Sequence, residues 1–476
     1  MRESVVVFVL MLAAVSRVWA QAENDSGGTE RIVEILNADS ARSTTVDGEP
    51  ADILTGNVGI RQGQTLLNAD RAIRFKKKDQ IIFEGAVTII DEGDSLFADR
   101  VVYESDVKTG IGTGDVRWSD GEVAITASQA KYFLDDKVAE FEEDVVMQDS
   151  TTTVLSLYGT YDVDSRIARF HDDVYLEQRR LALTADALTH ERESGLTTAA
   201  GNVWIYHMTD PNTDEQEARV LLVADTASSE RDTGINRLHG QAGLVRIEPG
   251  SPDADTLVVR SAAVVVEFAD STDAFDATTD VRFWSGNLAG RADSLSYTSV
   301  SDSSERVSSI RMLGDPFVWN SKAQVNGDTV DVRVEDGRAR NLEAYENAYV
   351  GFQDSTHDFV QQLKGRRLEA FFRDDSLRNL TVRPNAEALY FAVDSTAENK
   401  LSALRFTSTR ITLRFARGDI DRITASKDVE GDMKELEEGA TPPTLQGFRW
   451  RAAERPRREE LLDANILAAL KRFEAF

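Results

Sequence analysis

Gly56-Asn57-Val58-Gly59-Ile60, Gly85-Ala86-Val87-Thr88-Ile89 and Gly114-Asp115-Val116-Arg117-Trp118 are three copies of one pattern, each 29 residues after the last. Val145, Val174 and Val203 continue the register, preceded by Glu143-Asp144, Asp172-Asp173 and Gly201-Asn202. A pair of turn-forming residues before an apolar position marks a turn or bulge. Two residues after each valine stand Ile60, Ile89, Trp118, Met147, Leu176 and Ile205, with mostly small or polar residues such as Gly59, Thr88 and Arg117 between. Alternation with period two describes a strand with one buried face.

A second strand shares the period. Twenty residues before the valines stand Leu67, Leu96, Ile125, Val154 and Leu183, and eighteen before stand Ala69, Ala98, Ala127, Ser156 and Ala185. This face is aliphatic with one position kept small. Asp70, Asp99, Ser128, Leu157 and Asp186 follow, then four residues further on Arg74, Tyr103, Tyr132, Tyr161 and His190. Polar turns such as Lys76-Lys77-Lys78-Asp79 and Leu134-Asp135-Asp136-Lys137 join the strands. A two-strand unit without a helix cannot bury its apolar face alone and must stack on further copies. The expected fold is all-β: an elongated β-jelly-roll of two facing sheets, built of stacked two-strand repeats of about 29 residues, with a C-terminal helix. A parallel β-helix fits less well, because its coils are shorter and lack this hairpin-like unit.

The pattern holds register over residues 50–210 and continues in more divergent form over 211–432, after a loop at Asp210-Pro211-Asn212-Thr213-Asp214. Residues 1–20 read as a signal peptide, with Arg2, an apolar run from Val5 to Val15, and Val18-Trp19-Ala20 before polar Gln21. That run is shorter than the ~20 residues a spanning helix needs. Residues 21–49 are expected to form a flexible leader. Residues 433–476 read as an acidic, Pro-containing linker with Thr441-Pro442-Pro443 and then a helix over 457–475. Pro456 opens that helix, and Leu461, Leu462, Ile466, Leu467, Leu470 and Phe473 share one face. It is expected to cap the last rung of the array, with a partner-binding helix as the alternative.

Composition narrows the function. The chain carries 82 Asp and Glu against 54 Lys and Arg, a net charge of −28, and no cysteine. So acidic a chain argues against a nucleic-acid partner, because phosphate backbones are bound by releasing counterions to Lys and Arg. Without cysteine there is no disulfide framework, thiolate metal site or thiol nucleophile. The histidines, His171, His190, His207, His239 and His357, lack metal-ligand spacing and read as surface or rim residues. Asp70, Asp99 and Asp186 could form a carboxylate ladder for Ca²⁺; solvent-facing turn positions, relieved by Arg71 and Arg100, account for them more simply. Trp118, Trp204, Trp284 and Trp319 read as packing residues rather than a sugar-stacking ladder. No phosphate loop or nucleophile elbow is present.

Leu54-Thr55-Gly56-Asn57-Val58-Gly59-Ile60, with Leu66-Leu67-Asn68-Ala69-Asp70-Arg71-Ala72 after it, resembles the OstA-like (LptA-type) family. Phe97-Ala98-Asp99-Arg100-Val101-Val102-Tyr103, and Thr184-Ala185-Asp186 through Gly201-Asn202-Val203, repeat the likeness. Its members are periplasmic β-jelly-roll proteins of Gram-negative lipopolysaccharide transport. The resemblance is good over residues 50–210 and looser to about 432. It implies no catalysis and no cofactor. It implies a periplasmic protein that holds lipopolysaccharide by its lipid A acyl chains and passes it toward the outer membrane. Transport proteins of the inner and outer membrane would be its partners, and head-to-tail self-association through open edges is a further expectation.

A groove of that kind would be lined by Leu67, Ala69, Val87, Ile89, Leu96, Ala98, Val116, Trp118, Ile125, Ala127, Val145, Met147, Val174, Leu176, Leu183, Ala185, Val203 and Ile205. The alternative is an exported structural or polysaccharide-binding β-solenoid, packed solid at the same positions. A glycan lyase on a β-helix ranks third, since no acid, base and Arg recur together on one face.

Overall fold

The computed structural model describes residues 33–473 apart from 63, 79, 92–93, 105, 179–180, 208–218, 231–232, 248–255, 269–271, 302–305, 336–337, 354–358, 374–375, 395–399, 417–418 and 438–440. The expected signal peptide and the 210–214 loop lie outside these residues. The chain divides into two compact units, one ending at Val203 and the other beginning at Trp204.

The first unit contains β1 (Val33–Asn37), β2 (Ser40–Val46), β3 (Glu49–Gln62), β4 (Thr65–Phe75), β5 (Gln80–Asp91), β6 (Asp94–Glu104), β7 (Thr109–Ser119), β8 (Ala124–Phe133), β9 (Val138–Gln148), β10 (Thr152–Asp162), β11 (Ile167–Gln178) and β12 (Leu181–Glu191). β13 (Leu196–His207) runs across the boundary between the units. From β3 to β12 every strand pairs antiparallel with the next in sequence. The 29-residue repeat is thus two long strands. Every second strand is interrupted where the sequence carries its turn pair.

That interruption is a two-residue bulge in left-handed backbone. Gly85 has φ +80° and Ala86 +42°; Gly114-Asp115, Glu143-Asp144, Asp172-Asp173 and Gly201-Asn202 repeat the geometry. Between β5 and β6 the register jumps from Glu84–Arg100 to Val87–Ala98, so two residues face Asp99 alone. An extra residue bends the strand and sharpens its twist. The glycine also answers a steric demand: a Cβ on Gly85 would overlap the Asp70 carboxylate, and Gly114 and Gly201 stand in the same relation to Asp99 and Asp186. Where the repeat has Glu143 or Asp172 in place of glycine, it has Ser128 or Leu157 in place of the aspartate. The aspartates therefore cover bulges. Arg71 and Arg100 pair with Glu84, at 3.2 and 3.5 Å, rather than relieving an aspartate ladder.

The turns stack as well. Lys108, Lys137 and Arg166, spaced 29 apart, each adopt positive φ. Their carbonyls accept hydrogen bonds from the amides of Leu134, Val163 and Arg192 in the following turn, at 3.0, 3.1 and 3.2 Å. Lys108–Asp135 and Lys137–Asp164 ion pairs, each 2.8 Å, repeat with the same spacing.

Residues 21–32 of the expected leader lie outside the described residues, and from residue 33 on the chain is strand instead. β1 and β2 pair antiparallel with the two halves of β3. β2 is exposed along almost its whole length, so backbone pairing and not burial orders it, and composition carries no trace of that.

The second unit runs from Arg219–Glu230 to Glu430–Glu435 in antiparallel strands, and its chain then turns back across it. One face carries the row Trp284, Ala289, Trp319, Gln324, Gly351, Gln362 and Leu389, each paired with the next across the sheet. Residues 445–458 lie along this row as a strap. The Leu445 amide donates to Gln362 Oε1 at 2.8 Å. Gln324, fully buried, donates to the Arg449 carbonyl and accepts from the Arg451 amide, both at 2.6 Å, and accepts from Trp319 Nε1 at 3.1 Å. Phe448 and Trp450 close over Gly351, where a Cβ would come within 2.7 Å of the Phe448 ring.

The expected single helix is two, α1 (Arg458–Leu461) and α2 (Ala464–Phe473). Asp463 separates them, its Oδ1 accepting the Ile466 amide at 3.0 Å while Oδ2 pairs with Arg260 at 3.0 Å. Ile466 and Ala469 are buried, whereas Leu467 is exposed. The expected cap on the last rung is not formed. α1 packs on Thr256–Phe268 and Thr272–Ser285, α2 on Arg219–Glu230, and Glu430–Glu435 remains exposed throughout. The apolar face followed helical spacing, but its docking surface is set by Trp204, whose Nε1 donates to Asn465 at 2.8 Å.

Gly121 has φ +83° and nothing within 4 Å of its Cβ direction, so Gly121→Ala should cost about 1 kcal/mol in urea unfolding from backbone conformation alone. Gly85→Ala adds the overlap with Asp70 and should cost about 2–4 kcal/mol; in an Asp70→Ala background the same change should fall back to about 1 kcal/mol. Gln324→Leu should leave strap amide and carbonyl groups unpaired, at about 1–3 kcal/mol each. Trypsin should then cut after Arg449 to Arg458 several-fold faster than in the parent protein.

Candidate functional site

Bending the strands at the bulges gives the first unit a concave side built of rows of paired residues. One row is Leu67, Ile89, Leu96, Trp118, Ile125, Met147, Val154, Leu176 and Leu183. Beside it Val58 faces Ala69, Val87 faces Ala98, Val116 faces Ala127, Val145 faces Ser156 and Val174 faces Ala185. Every expected lining residue is buried except Trp118, which is partly exposed; Val203 and Ile205 are buried in β13.

Beyond the bulge lies a row that sequence reasoning missed: Ala72, Phe83, Val101, Gly112, Ala130, Phe141, Gly159, Phe170 and Leu188. It faces the same interior. A Cβ on Gly112 would lie 3.6 Å from Val116 and 3.7 Å from Ala98, and one on Gly159 would lie 3.2 Å from both Phe170 and Val145. Glycine at these two positions, opposite Val101 and Ala130 or opposite Phe141 and Phe170, keeps the two sheet halves in contact. The signal was available, because 83, 112, 141 and 170 share the 29-residue period; Gly112 among the phenylalanines disguised it.

The outermost row is Arg74, Ile81, Tyr103, Gly110, Tyr132, Ala139, Tyr161, Ala168 and His190. Tyr103, Tyr132 and Tyr161 are buried, as is His190, which therefore sits inside and not at the surface. His190 Nδ1 lies 2.9 Å from Thr197 Oγ1. Burial, helped by Asp135, pushes the Tyr103 hydroxyl up to about 12. Burial and Asp164 raise Tyr132 as well. Tyr103 and Tyr132 stay neutral at any physiological pH, so the middle of the row presents polar tips without charge, while Arg74 stands at its end.

The rims of the two halves meet at a clasp. Arg192, in the turn after β12, donates to Asp120 Oδ2 at 2.8 Å, Glu122 Oε2 at 3.0 Å and the Tyr161 hydroxyl at 3.3 Å. Asp120 follows β7, 72 residues away in sequence. Burial alone would raise the Asp120 pKa; the Val123 and Glu122 amides and the Arg192 guanidinium outweigh it and hold the carboxyl below the ordinary range. Near the clasp, Leu96, Gly112, Trp118, Tyr132, Phe141, Tyr161 and Val163 enclose a cavity of about 40 Å³. The Trp118 and Tyr161 rings lie 5.6 Å apart. Among the described residues, no cluster of three or more His, Asp or Glu is placed to hold a metal ion. Trp204, Trp284 and Trp319 do not join Trp118; they lie in the second unit against the strap and α2.

Because the folded pKa of Asp120 is depressed, the clasp contributes fully above the unfolded value near 4 and is lost as pH falls through the lower folded value. Arg192→Met should therefore lower stability by about 1.5–3 kcal/mol at pH 7. The difference from the parent, followed by urea unfolding, should shrink steadily below pH 4.

Residues 30–186 match the family model of OstA-like proteins. Among solved structures the chain is similar to LptH, the LptA-homologous periplasmic component of the lipopolysaccharide transport device of Pseudomonas aeruginosa. The identity is 15% and the TM-score 0.22, over 32% of this chain and 95% of that one. No curated protein matches the chain.

Proposed function

We propose, from the OstA-like match of residues 30–186, that this is a non-enzymatic periplasmic protein that takes up lipopolysaccharide by its acyl chains and hands it toward the outer membrane. The observation that carries the reading is the unbroken apolar interior between two sheet halves, continuous from Leu67 to Leu183 along one row and from Ala72 to Leu188 along another. Acyl chains need such a surface, and nothing in it is arranged for bond making.

Magnitudes decide how a chain would enter. The cavity of about 40 Å³ is far below the ~150 Å³ of an apolar cavity that admits a single benzene. The halves must part. Burying a twelve-carbon chain offers roughly 10 kcal/mol before ordering costs, against about 1.5–3 kcal/mol for the charged hydrogen bonds of the clasp. The ligand is thus strong enough to open its own site. With a net charge of −28 the protein repels lipid A phosphates at long range, so affinity rests on the acyl chains.

The exposed edge strands β1 and β2, and Glu430–Glu435 in the second unit, offer unpaired backbone. There, transport proteins of the two membranes, or a second copy head to tail, would add strands. The closely packed interior favours a second reading, an exported structural solenoid that binds nothing between its sheets.

Photocrosslinking probes at Val116 and Val145, with exposed Arg117 as control, separate the two. The carrier should give lipopolysaccharide adducts at the two inward positions only, persisting at 0.5 M salt and absent with deacylated ligand. Folded protein without adducts at either position would leave the structural solenoid.

A further inference from the structure

β10 is the strand on which the repeat abandons its polar outer side. Leu155, Leu157 and Tyr158 stand where the preceding copy has Thr126, Ser128 and Gln129, and they are 39%, 43% and 39% exposed. Val146 and Tyr175 pair with Leu155 from either side and are partly exposed, and Tyr158 stacks on the exposed His171 at 5.0 Å. Successive side chains of a strand point to opposite faces, so this patch lies on the other side of the sheet from buried Val145, Val154 and Val174 and takes no part in the interior.

The strands beside β10 carry the bulges that lack glycine. Glu143, Asp144, Asp172 and Asp173 are all exposed in left-handed backbone. Asp172 pairs with His171 at 3.2 Å; among the described residues Glu143, Asp144 and Asp173 take part in no ion pair. Arg117, across Thr126, and Arg169, two residues from His171, bound the patch. An apolar surface rimmed by polar groups marks a contact site, and this rim is anionic.

Within the second unit the same position of the repeat is covered. A Cβ on Gly314 would overlap Asp293 as one on Gly114 would overlap Asp99, and Asp315 follows with φ +49°. Asp315, with Phe317 two residues on, holds arginines of the strap: Arg449 pairs with Asp315, and the guanidinium groups of Arg449 and Arg451 lie 5.2 and 4.9 Å from the centre of the Phe317 ring. Phe448 and Trp450, alternating with them in sequence, close over Gly351. Asp173 and Tyr175 repeat that pair of positions in the first unit. A carboxylate beside an aromatic face attracts a guanidinium both by charge and through the ring.

We propose that the outer face around Leu155 is the docking site for an extended segment of a separate partner protein in which arginine alternates with large apolar side chains. An arginine would sit between Asp173 and Tyr175, and an apolar residue on Leu155 and Val146. Val146 and Tyr175 are two strand spacings apart, about 10 Å, so about three residues of extended chain cross the patch. The unpaired carboxylates select a basic segment and count against a membrane, whose anionic headgroups they would repel. The site does not depend on what the first unit holds between its sheets.

Fluorescence anisotropy on the full chain tests it with a labelled peptide carrying the strap sequence of residues 446–452, and with a control peptide bearing Arg449→Glu and Arg451→Glu. The first should bind saturably and more weakly as salt rises; the control should not bind. Asp173→Asn keeps a residue that tolerates left-handed backbone and should raise the dissociation constant about tenfold. Leu155→Thr should also weaken binding. Asp315→Asn should not, which assigns the binding to the first unit and not to the strap's own seat. The absence of saturable binding overturns the proposal. So does binding that Asp173→Asn and Leu155→Thr leave unchanged in proteins whose circular dichroism matches the parent. A dimer in analytical ultracentrifugation that Asp173→Asn dissociates overturns it in favour of a second copy. Leu155-dependent flotation with phosphatidylcholine vesicles, without peptide binding, overturns it in favour of a lipid surface. Crosslinking at Val116 should be the same in parent and Asp173→Asn proteins, which separates failure of this site from failure of the carrier reading.

Discussion

The pair of left-handed residues in the middle of every second strand is the constraint from which the first unit follows. Backbone such as that at Gly85-Ala86 is costly for residues with side chains, yet it recurs in each repeat. Without it the strands would form one twisted sheet with an apolar face open to water. With it, the half carrying Val116 and the half carrying Gly112 close on one another. The aspartate over each glycine is part of the same device, because the carboxylate occupies the space that a side chain would take.

Closing two halves of one sheet creates an interior whose walls are separately continuous. Each row is held along its length by ladder hydrogen bonds, whereas across the interior the halves touch through apolar contacts and the Arg192–Asp120 clasp. Separating the halves therefore costs far less than separating strands. An interior that is nearly full at rest and cheap to part suits a guest that supplies its own driving force. It also explains why the neutral phenols of Tyr103 and Tyr132, and not charges, stand in the middle of the outermost row: charges there would have to be desolvated when the halves close.

Legibility in the sequence followed chain separation. The bulges, the aliphatic rows at Leu67 and Val87, and the tyrosine slot repeat every 29 residues, and periodicity exposed them. The Phe83–Gly112–Phe141 row has the same period, but a row alternating large and absent side chains does not look apolar when read one position at a time. Edge strand β2 has no buried face to leave a pattern. The clasp joins residues 72 apart, the strap joins Gln324 to Arg449 125 apart, and Trp204 meets Asn465 261 apart. Contacts of that range belong to no repeat. The helix was visible in its spacing, but its docking on the first strands of the second unit was not.

The strap also imposes an order of events. Strands in the array meet partners a few tens of residues away and can pair as soon as both have been made, a low-contact-order process. Trp284, Trp319 and Gln324 must wait for residues 445–458, which are made after every strand of the unit. Until then the face they occupy is uncovered, with buried polar groups unsatisfied. The second unit thus matures from a sheet that is complete in its ladder but wet on one side. Its final step is the seating of residues 445–458 on that face, where Gln324 and Gln362 find their partners.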